Sequence, residues 1–269
     1  MKLARPDVFH PRIVLAGCPR RAGGDADDAG LVTALRRRGL QARWLSWDDP
    51  EIAGAHLVIL RATHDYADRL DEFLAWTTGV ANLLNPPAVV AWNADRRYVT
   101  DLTDRGVPTV PGEVVAPGER ARLPRHGDVF VGPTVGTGTR RFGERSAAAA
   151  YIAGAKHSVF VQAADSAPDT VLIFLGGKPS HAFPPEPDFE LWDVGAAALA
   201  AAAADPAELL CARVHLSGNR VVDLQLVDPS LGWRRLDADT RDLAQREFAL
   251  AVESACERLG LGPLSHRGP

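Results

Sequence analysis

The chain of 269 residues has no segment that approaches the roughly 20 uninterrupted apolar residues of a membrane-spanning helix. Residues 1–12 also lack the apolar centre of a signal peptide. Positive charge is not concentrated: 30 Lys and Arg against 34 Asp and Glu give a net charge of −4, and the longest basic run is residues 36–38. These absences argue against a membrane protein, a secreted protein and a nucleic-acid-binding surface.

Cysteine is scarce as well. Cys18, Cys211 and Cys256 are an odd number and lack metal-ligand spacing, so we expect reduced thiols in a cytoplasmic protein. The chain contains neither a Gly-x-Ser-x-Gly nor a His-Glu-x-x-His string. What is present, 46% hydrophobic and 24% charged residues, is typical of a globular protein with one large core or a few small lobes.

The first part of the chain alternates between strand and helix patterns. The apolar run at Arg12–Gly17 predicts a buried strand, and residues 28–38 have helical spacing before Gly39. Strands at 42–47 and 57–60 complete a pattern that indicates a parallel sheet covered by helices. The pattern continues with a helix at 70–83, a strand at 88–92 and a helix at 96–105.

The remainder of the chain favours antiparallel strands. Residues 211–233 predict two strands joined by a tight turn and ended by Asp228-Pro229, and residues 240–259 predict a closing helix with Thr240 as its N-cap. The other predicted strands are 128–131, 158–161, 170–175 and 178–183. The other predicted helices are 146–154 and 194–204.

An ordered set of short strings resembles the ATP-grasp ligases, in particular a bacterial branch that includes the cyclo-ligase making D-cycloserine and glutathione-synthetase-like proteins. The strings cover most of the chain: 61–66 (RATHDY), 85–87 (NPP), 92–98 (WNADRRY), 106–108 (GVP), 135–138 (VGTG), 175–182 (LGGKPSHA), 212–214 (ARV) and 228–231 (DPSL).

The resemblance implies an α/β ATP-grasp-like fold. We expect an N-terminal parallel α/β lobe at residues 1–111 and a central small α+β lobe at 112–162. A C-terminal lobe with an antiparallel sheet follows at 163–269. It further implies ATP bound between lobes, with magnesium ions on oxygen ligands, and transfer of phosphate to a carboxylate that an amine then attacks.

Several residues depart from the pattern that the resemblance implies. Arg96 stands for a lysine that reaches the nucleotide, and Gly132 stands for a second lysine. His215 and Gln225 stand for acids, so that only Asp228 keeps a carboxylate. Each lost charged contact costs about 1.5–3 kcal/mol, so we expect binding of ATP and Mg²⁺ to be impaired.

The candidate residues form four groups, and each has a plainer alternative. Arg213 and His215 are the candidate catalytic pair, because alternate residues of a strand share a face; the alternative, and the commoner role of a histidine on a strand, is a hydrogen-bonded structural His215. Asp228 and Gln225 are the candidate metal ligands. The candidate nucleotide contacts are Arg96, Gly136, Gly138, Arg140 and Arg141, where a simple turn explains the glycines. The candidate substrate contacts are Arg61, Asp65 and His181, where an Arg61–Asp65 ion pair is the alternative.

The sequence leaves three functions open. The first is a ligase or cyclo-ligase lineage protein of amino-acid-related, secondary-metabolite biosynthesis with an impaired ATP–Mg²⁺ site. The second is a non-catalytic subunit that pairs with an active ligase. The third is an enzyme that uses the cleft for acid–base chemistry without ATP. The expected partners are a small-molecule substrate and either a second copy of the chain or that active ligase, with no nucleic acid and no membrane.

Overall fold

The computed structural model describes residues 9–124, 126–164 and 166–262. Its helices are α1 (Leu31–Arg37), α2 (Leu70–Gly79), α3 (Pro87–Asn93), α4 (Tyr98–Asp104), α5 (Arg145–Ala153), α6 (Phe189–Ala202) and α7 (Ala238–Arg258). Its strands are β1 (Arg12–Gly17), β2 (Gln41–Ser46), β3 (Leu57–Ala62), β4 (Leu83–Leu84), β5 (Gly112–Val115), β6 (Asp128–Pro133), β7 (Arg140–Phe142), β8 (Val159–Ala164), β9 (Asp169–Leu175), β10 (Lys178–Phe183), β11 (Cys211–Ser217) and β12 (Arg220–Gln225).

The first sheet is parallel, in the order β2-β1-β3-β4, as the alternating pattern predicted. Its strand β3 is buried along its whole length, which explains its continuous apolar run. The predicted strand at 88–92 is wrong, because these residues belong to helix α3. Pro87 fits the first helical position, and Val89 and Val90 are the buried residues of a short amphipathic turn rather than of a strand.

The second sheet is antiparallel, in the order β10-β9-β11-β12. The predicted hairpin is confirmed: β11 and β12 pair antiparallel, with Arg213 opposite Gln225 and His215 opposite Asp223. The hairpin therefore forms one edge of this sheet, with β12 outermost. Its turn contains Gly218, whose φ of 57° suits a residue without a side chain.

The third sheet contains β5, β8, β6 and β7 in that order, with antiparallel pairing throughout. Helix α5 packs on one face through Ala148 and Ile152, against Val129 and Val131 of β6. The opposite face carries Phe130, which is buried against residues outside this sheet. The face of the third sheet that carries Phe130 therefore lies towards β12.

The parallel sheet and the antiparallel sheet share a core. Leu15 of β1, Ile173 of β9 and Phe248 of α7 belong to one buried apolar cluster. Helix α7 begins earlier than predicted, because Asp237 rather than Thr240 is its N-cap and accepts from the backbone N–H groups of Asp239 and Thr240. The carboxylate is a stronger acceptor than the hydroxyl, and here Thr240 donates to it.

Other predictions stand as follows. All three cysteines are free and buried. None of the helices in the described part of the chain has the length and apolar character needed to cross a bilayer. The lobe boundaries stay predictions, and their outer ends, together with most of the N-terminal segment assessed for a signal peptide, fall on residues 1–8 and 263–269, outside the described residues.

Candidate functional site

The outer edge of β12 is held by side-chain amides from the first part of the chain. Asn93 donates to the carbonyl of Leu224 at 2.8 Å and accepts from the N–H of Leu226 at 2.7 Å. Asn85 donates to the carbonyls of Leu226 and Cys211 at 2.7 and 2.9 Å. Because both amides are buried, the backbone of an edge strand is satisfied without a further strand.

The third sheet bonds to the same strand as well as packing against it through Phe130. The amide of Gln162, on β8, donates to the carbonyls of Val110 and Val222 at 2.8 and 3.0 Å. Backbone bonds between Val221 and residues Pro108 and Val110, both 2.8 Å, extend this attachment. Strand β12 is therefore held both by the third sheet and by the segment that follows the parallel sheet.

One face of the hairpin carries the polar candidates. Strand pairing places Arg213 beside Gln225 and His215 beside Asp223, and alternation along each strand gives these four residues a common face. The residues between them, such as Val214 and Leu224, are buried in the apolar cluster on the other face. The expectation that Arg213 and His215 share a face therefore agrees with the strand register.

Asp223 is the most fully engaged acid of this face. Its Oδ1 accepts from the Tyr98 hydroxyl at 2.7 Å and lies 2.7 Å from Nη2 of Arg96, while its Oδ2 accepts from Gln225 Nε2 at 2.8 Å. Burial opposes ionisation, yet the Arg96 charge and these hydrogen bonds hold the pKa of Asp223 well below its usual range. Asp223 is thus a buried carboxylate with its oxygens already occupied.

The Arg96 guanidinium fills the space beside Gly132. A Cβ added at Gly132 would come within 2.8 Å of Nη1 of Arg96 and 3.1 Å of the Thr139 hydroxyl. Arg96 is 2% exposed. Position 132, where the resemblance implies a lysine, is therefore occupied by the smallest residue. The Arg96 guanidinium, from the segment after α3, fills the space that a lysine side chain would need.

Asp228, the predicted metal ligand, lies in a row of acids and a histidine. Its Oδ2 is 2.9 Å from Nδ1 of His64, and Nε2 of His64 is 2.6 Å from Oδ2 of Asp25. The hydrogen bond to Asp228, followed by the other contacts of these two acids, raises the pKa of His64 to about 9, although partial burial opposes this. Burial raises the pKa of Asp228. His64 is a protonated bridge between two carboxylates at neutral pH.

A narrow cavity lies over the ends of these groups. Its lining joins the hairpin to Tyr66, to Arg96 and to Gly136 and Thr137 of the glycine loop. Gly136 has a φ of 97°, and an added Cβ would lie 3.0 Å from Ala67, so a side chain there would be strained as well as crowded. Gly138 is not among the residues that line this cavity.

The donor set can be compared with what ATP and magnesium need. Mg²⁺ prefers several oxygen ligands, usually including carboxylates. Asp223 is paired with Arg96, Asp228 is paired with His64, and Gln225 donates its N–H to Asp223. In the described ranges no three His, Cys, Asp or Glu side chains are grouped as a metal site requires. The residues in place do not fit the magnesium site that the resemblance implies.

Arg213 and His215 have a different electrostatic setting. Burial, followed by the charge of Arg213, lowers the pKa of His215, and its Nε2 lies 3.5 Å from Oδ1 of Asp169. Burial also lowers the pKa of Arg213, and Arg235 adds to this effect while Asp223 opposes it. A neutral imidazole beside a guanidinium is therefore present at neutral pH.

The remaining predicted nucleotide contacts separate onto two faces of the third sheet. The Arg140 guanidinium stacks on Tyr151 of α5, 5.0 Å from the ring centre. Arg141 faces the other way and pairs with Asp128 at 2.5 Å and Asp169 at 3.0 Å. Arg141 therefore belongs to the group that contains His215, whereas Arg140 does not.

The predicted substrate contacts are engaged within the fold. Arg61 is buried and pairs with Asp28 at 2.9 Å, so the alternative of an ion pair with Asp65 does not describe its contact. Asp65 instead accepts from the Trp47 indole at 2.9 Å. His181 is buried with Nε2 2.7 Å from the Leu231 carbonyl, and burial lowers its pKa. A substrate role for Arg61, Asp65 and His181 stays a prediction.

Several residues of this site were not among the sequence candidates. They are Asp25, His64, Tyr66, Asn93, Tyr98, Thr137, Asp223 and Arg235. Asp223 carried a usable signal, because it alternates with Gln225 and so had to share its face. Tyr98 and Asn93 lie in the string 92–98 that carries the resemblance, but their contacts could not be predicted, since only the tertiary fold brings residues about 125–130 positions apart together.

Comparison with known proteins gives two sequence relationships. Residues 13–85 match the family described as the N-terminal domain of the D-cycloserine synthetase DcsG. The chain is also 30% identical over 263 residues to the cycloserine biosynthesis protein DcsG of Streptomyces lavendulae, with 77% of this chain and 88% of that protein covered.

Solved structures agree with the sequence relationships. The crystal structure of the D-cycloserine synthetase DcsG is similar with a TM-score of 0.72 and 27% identity, covering 92% of this chain and 99% of that one. A D-alanine–D-alanine ligase from Bacillus anthracis, solved with ATP, has a TM-score of 0.65 at 11% identity, with coverages of 93% and 98%. The ATP-grasp ligase PsnB has a TM-score of 0.56 at 15% identity, with coverages of 93% and 100%. The last two likenesses concern the fold alone, and the predicted α/β ATP-grasp fold is confirmed.

Proposed function

Because the chain belongs to the DcsG family of ATP-grasp ligases, we propose that it is a protein of small-molecule, amino-acid-related biosynthesis whose ATP–Mg²⁺ site is impaired. If it is active with ATP, the expected reaction is that of a carboxylate–amine ligase or cyclo-ligase in secondary metabolism. The family relationship supports a biosynthetic ATP-grasp ligase. The impairment is inferred from the residues of this chain.

One observation carries the proposal: the acid within β12 and the acid that follows this strand each already hold a cation of the protein. Asp223 pairs with Arg96 and Asp228 pairs with His64. Two magnesium ions would have to displace those partners, and a displaced buried guanidinium would lose a contact that offsets its desolvation. Gly132 and Gln225 supply no charge that would help to hold a triphosphate.

Calorimetry of the full chain with ATP and MgCl₂ tests the proposal. We expect no binding tighter than about 1 μM, near −8 kcal/mol. A measured dissociation constant at or below about 1 μM would contradict an impaired site and favour an active ligase.

A restored variant makes the same test in the other direction. Gly132→Lys alone would meet the Arg96 guanidinium, so the restoration must also change position 96. The restored chain combines Arg96→Lys, Gly132→Lys, His215→Asp and Gln225→Glu. The matched control makes the same four kinds of change on the surface: Arg20→Lys, Gly54→Lys, His126→Asp and Gln41→Glu. ATP–Mg²⁺ affinity should rise at least tenfold in the restored chain and stay unchanged in the control.

A second candidate is supported by the setting of His215. Burial and the Arg213 charge keep this imidazole neutral, which makes it available as a base near neutral pH without ATP. Once a substrate is found, His215→Ala and Arg213→Ala should each lower turnover at least tenfold with the unfolding midpoint preserved. Unchanged turnover in both variants would move the working site elsewhere and contradict a catalytic role for this pair.

A further inference from the structure

A basic pocket lies at the amino-terminal ends of β1 and β2, far from the hairpin. Among the described residues it is lined by no acid and by four basic side chains: His10, Arg12, Arg36 and Arg43. Its volume of about 690 Å³ lies within the range of roughly 300–1,000 Å³ that small-molecule sites have. We call this cavity the basal pocket.

Two of its arginines are held in place by the backbone. Nε of Arg12 donates to the carbonyl of Gly54 at 2.7 Å, and Nε of Arg36 donates to the carbonyl of Ala42 at 3.0 Å. In the part of the chain that the structure describes, neither guanidinium has a carboxylate within 4.0 Å, and no group accepts from its Nη atoms. Each of these two arginines therefore offers a ligand a guanidinium fork that is already oriented.

The neighbouring arginines differ, because each of them has an acid. Arg43 pairs with Glu51 at 2.8 Å on the exposed surface, and Arg37 and Arg38 pair with acids of α7. The chain as a whole has a net charge of −4, so most of its surface repels an anion. Two unpaired cations in one cavity are a local exception to that charge.

The basal pocket and the hairpin lie at opposite ends of the parallel sheet. Arg12 is the first of the six residues of β1, and at about 3.3 Å per residue the two ends of this strand are roughly 17 Å apart. At the other end, Arg61 of the parallel neighbour β3 donates to the Pro229 carbonyl at 3.0 Å, in the segment that follows the hairpin. Substrates of open α/β sheets bind at the carboxyl ends of the strands, so a ligand at the amino ends is a second ligand.

We propose that the basal pocket binds a small anion that carries two or more phosphoryl or carboxylate groups. A guanidinium fork can donate two parallel hydrogen bonds to either kind of oxyanion. Arg12 and Arg36 come from different elements and are anchored separately, so a ligand with one charged group for each arginine fits them best. The basal pocket lies outside the proposed function, because neither ATP nor the hairpin takes part.

Pyrophosphate and citrate separate the two chemistries. Each probe is titrated by calorimetry into the full-length chain at constant ionic strength, without magnesium or nucleotide, and we expect one saturable site. Saturation by pyrophosphate alone assigns a phosphorylated ligand, and saturation by citrate alone assigns a polycarboxylate. Saturation by both assigns a site that accepts either oxyanion.

Two variants and a matched control locate the site. Arg12→Gln and Arg36→Gln should each weaken the dissociation constant at least tenfold. Arg37→Gln makes the same change of charge at the next residue of α1, but its side chain pairs with Asp242 and does not line the basal pocket, so we expect less than a twofold change. The unfolding midpoint of each variant confirms that it is folded.

A fourth variant should strengthen binding. Glu51 accepts from Nη1 of Arg43 at 2.8 Å and competes with a ligand for that guanidinium. Glu51→Gln removes the competing charge, and the affinity should rise at least twofold.

Absence of saturation with both probes would overturn the inference. Equal losses in Arg36→Gln and Arg37→Gln would also overturn it, because they would report diffuse surface charge. Unchanged affinity in both Arg12→Gln and Arg36→Gln would place the anion elsewhere, with the same consequence.

The nucleotide of the earlier tests is itself an oxyanion. The ATP titrations, including those of the restored chain and its control, are therefore repeated with Arg36→Gln added. ATP–Mg²⁺ binding at or below about 1 μM that persists there would contradict the impaired site and leave the basal pocket standing. Failure of the pyrophosphate and citrate titrations would leave the impaired site standing.

Discussion

Two acids and two arginines near the hairpin differ in whether they are paired. Asp223 and Asp228 each carry a cation of the protein, Arg96 and His64. Arg213 and Arg235 have no acid as an ion-pair partner in the described part of the chain. The two acids are therefore neutralised within the fold, whereas these two arginines are not.

The difference shows how the residues at a few positions decide which charged side chains of a site lack a partner. Gln225 stands where the resemblance implies an acid, so it offers neither a carboxylate to a magnesium ion nor, through the strand register, a counter-charge to Arg213. Gly132 stands where the resemblance implies a lysine and leaves the space that the Arg96 guanidinium fills. Both residues act by contacts across strands, so their effects are not visible at the two positions alone.

Breaking the Arg96–Asp223 pair should have the largest effect. Arg96→Met leaves Asp223 as a buried carboxylate without its cation, and we expect a loss of about 3–5 kcal/mol in the free energy of unfolding. Adding Asp223→Asn to this variant should recover part of the loss, because the uncompensated charge is then gone. Urea denaturation at pH 7 measures both. A single variant as stable as the parent would mean that the pair carries no such charge balance.

The same variants make a prediction about acid. The pKa of Asp223 is depressed in the folded protein, so its contribution is complete above the unfolded pKa of about 3.9 and is lost as pH falls below it. The parent should therefore lose stability between about pH 5 and pH 2 more steeply than the double variant. Parallel curves for the two proteins would contradict this assignment.

Removing the support of β12 should have the next largest effect. Asn93→Leu leaves the Leu224 carbonyl and the Leu226 N–H buried without partners, which should cost about 2–4 kcal/mol. Asn82→Ala is the control, since the Asn82 side chain donates one hydrogen bond to the described residues, to the His56 carbonyl. Its cost should stay near about 1 kcal/mol. Equal losses would show that the docking of β12 does not depend on the amide of Asn93.

A smaller, pH-dependent effect should follow from His64→Gln. The pKa of His64 is raised to about 9 in the folded protein, so its stabilising effect is complete below the unfolded pKa of about 6.5 and is lost as pH rises through about 9. The difference in urea midpoint between parent and variant should be larger at pH 6 than at pH 10. A difference that grows with pH would reverse the assigned direction.

The smallest effect is expected at Arg140. This side chain is exposed and stacks on Tyr151, away from the hairpin face. Arg140→Gln should change the free energy of unfolding by less than about 0.5 kcal/mol. Arg141→Gln, which loses Asp128 and Asp169, is the comparison and should be the more destabilising of the two in urea denaturation. An equal or larger loss in Arg140→Gln would contradict this difference.

Local pattern was enough to predict most of the fold. The apolar run of β1 and the alternating hairpin of β11 and β12 bury the faces that their spacing indicates. The pattern failed at residues 88–92, where a short apolar run suits a strand and a helix equally, and the buried partners decided for α3.

The site was less accessible to the same reasoning. The shared face of Arg213 and His215 followed from strand alternation, which is local. The partners of Asp228 and Arg96 did not, because His64 and Asp223 are distant in sequence and reach them only through packing of the sheets. Whether a charge is neutralised depends on which two side chains meet, and the sequence alone does not show which residues those are.

If a lysine once stood at position 132, as the resemblance implies, then Gly132 and Arg96 restrict the order in which the two positions could have changed. The buried guanidinium and a long side chain at position 132 compete for one volume. A lineage that began with a lysine at 132 would need the small residue there before an arginine at 96 could turn inward. Once it had done so, reversion at 132 alone would meet occupied space. Position 96 would have to change first, so restoring a lysine at position 132 would take two substitutions in a fixed order.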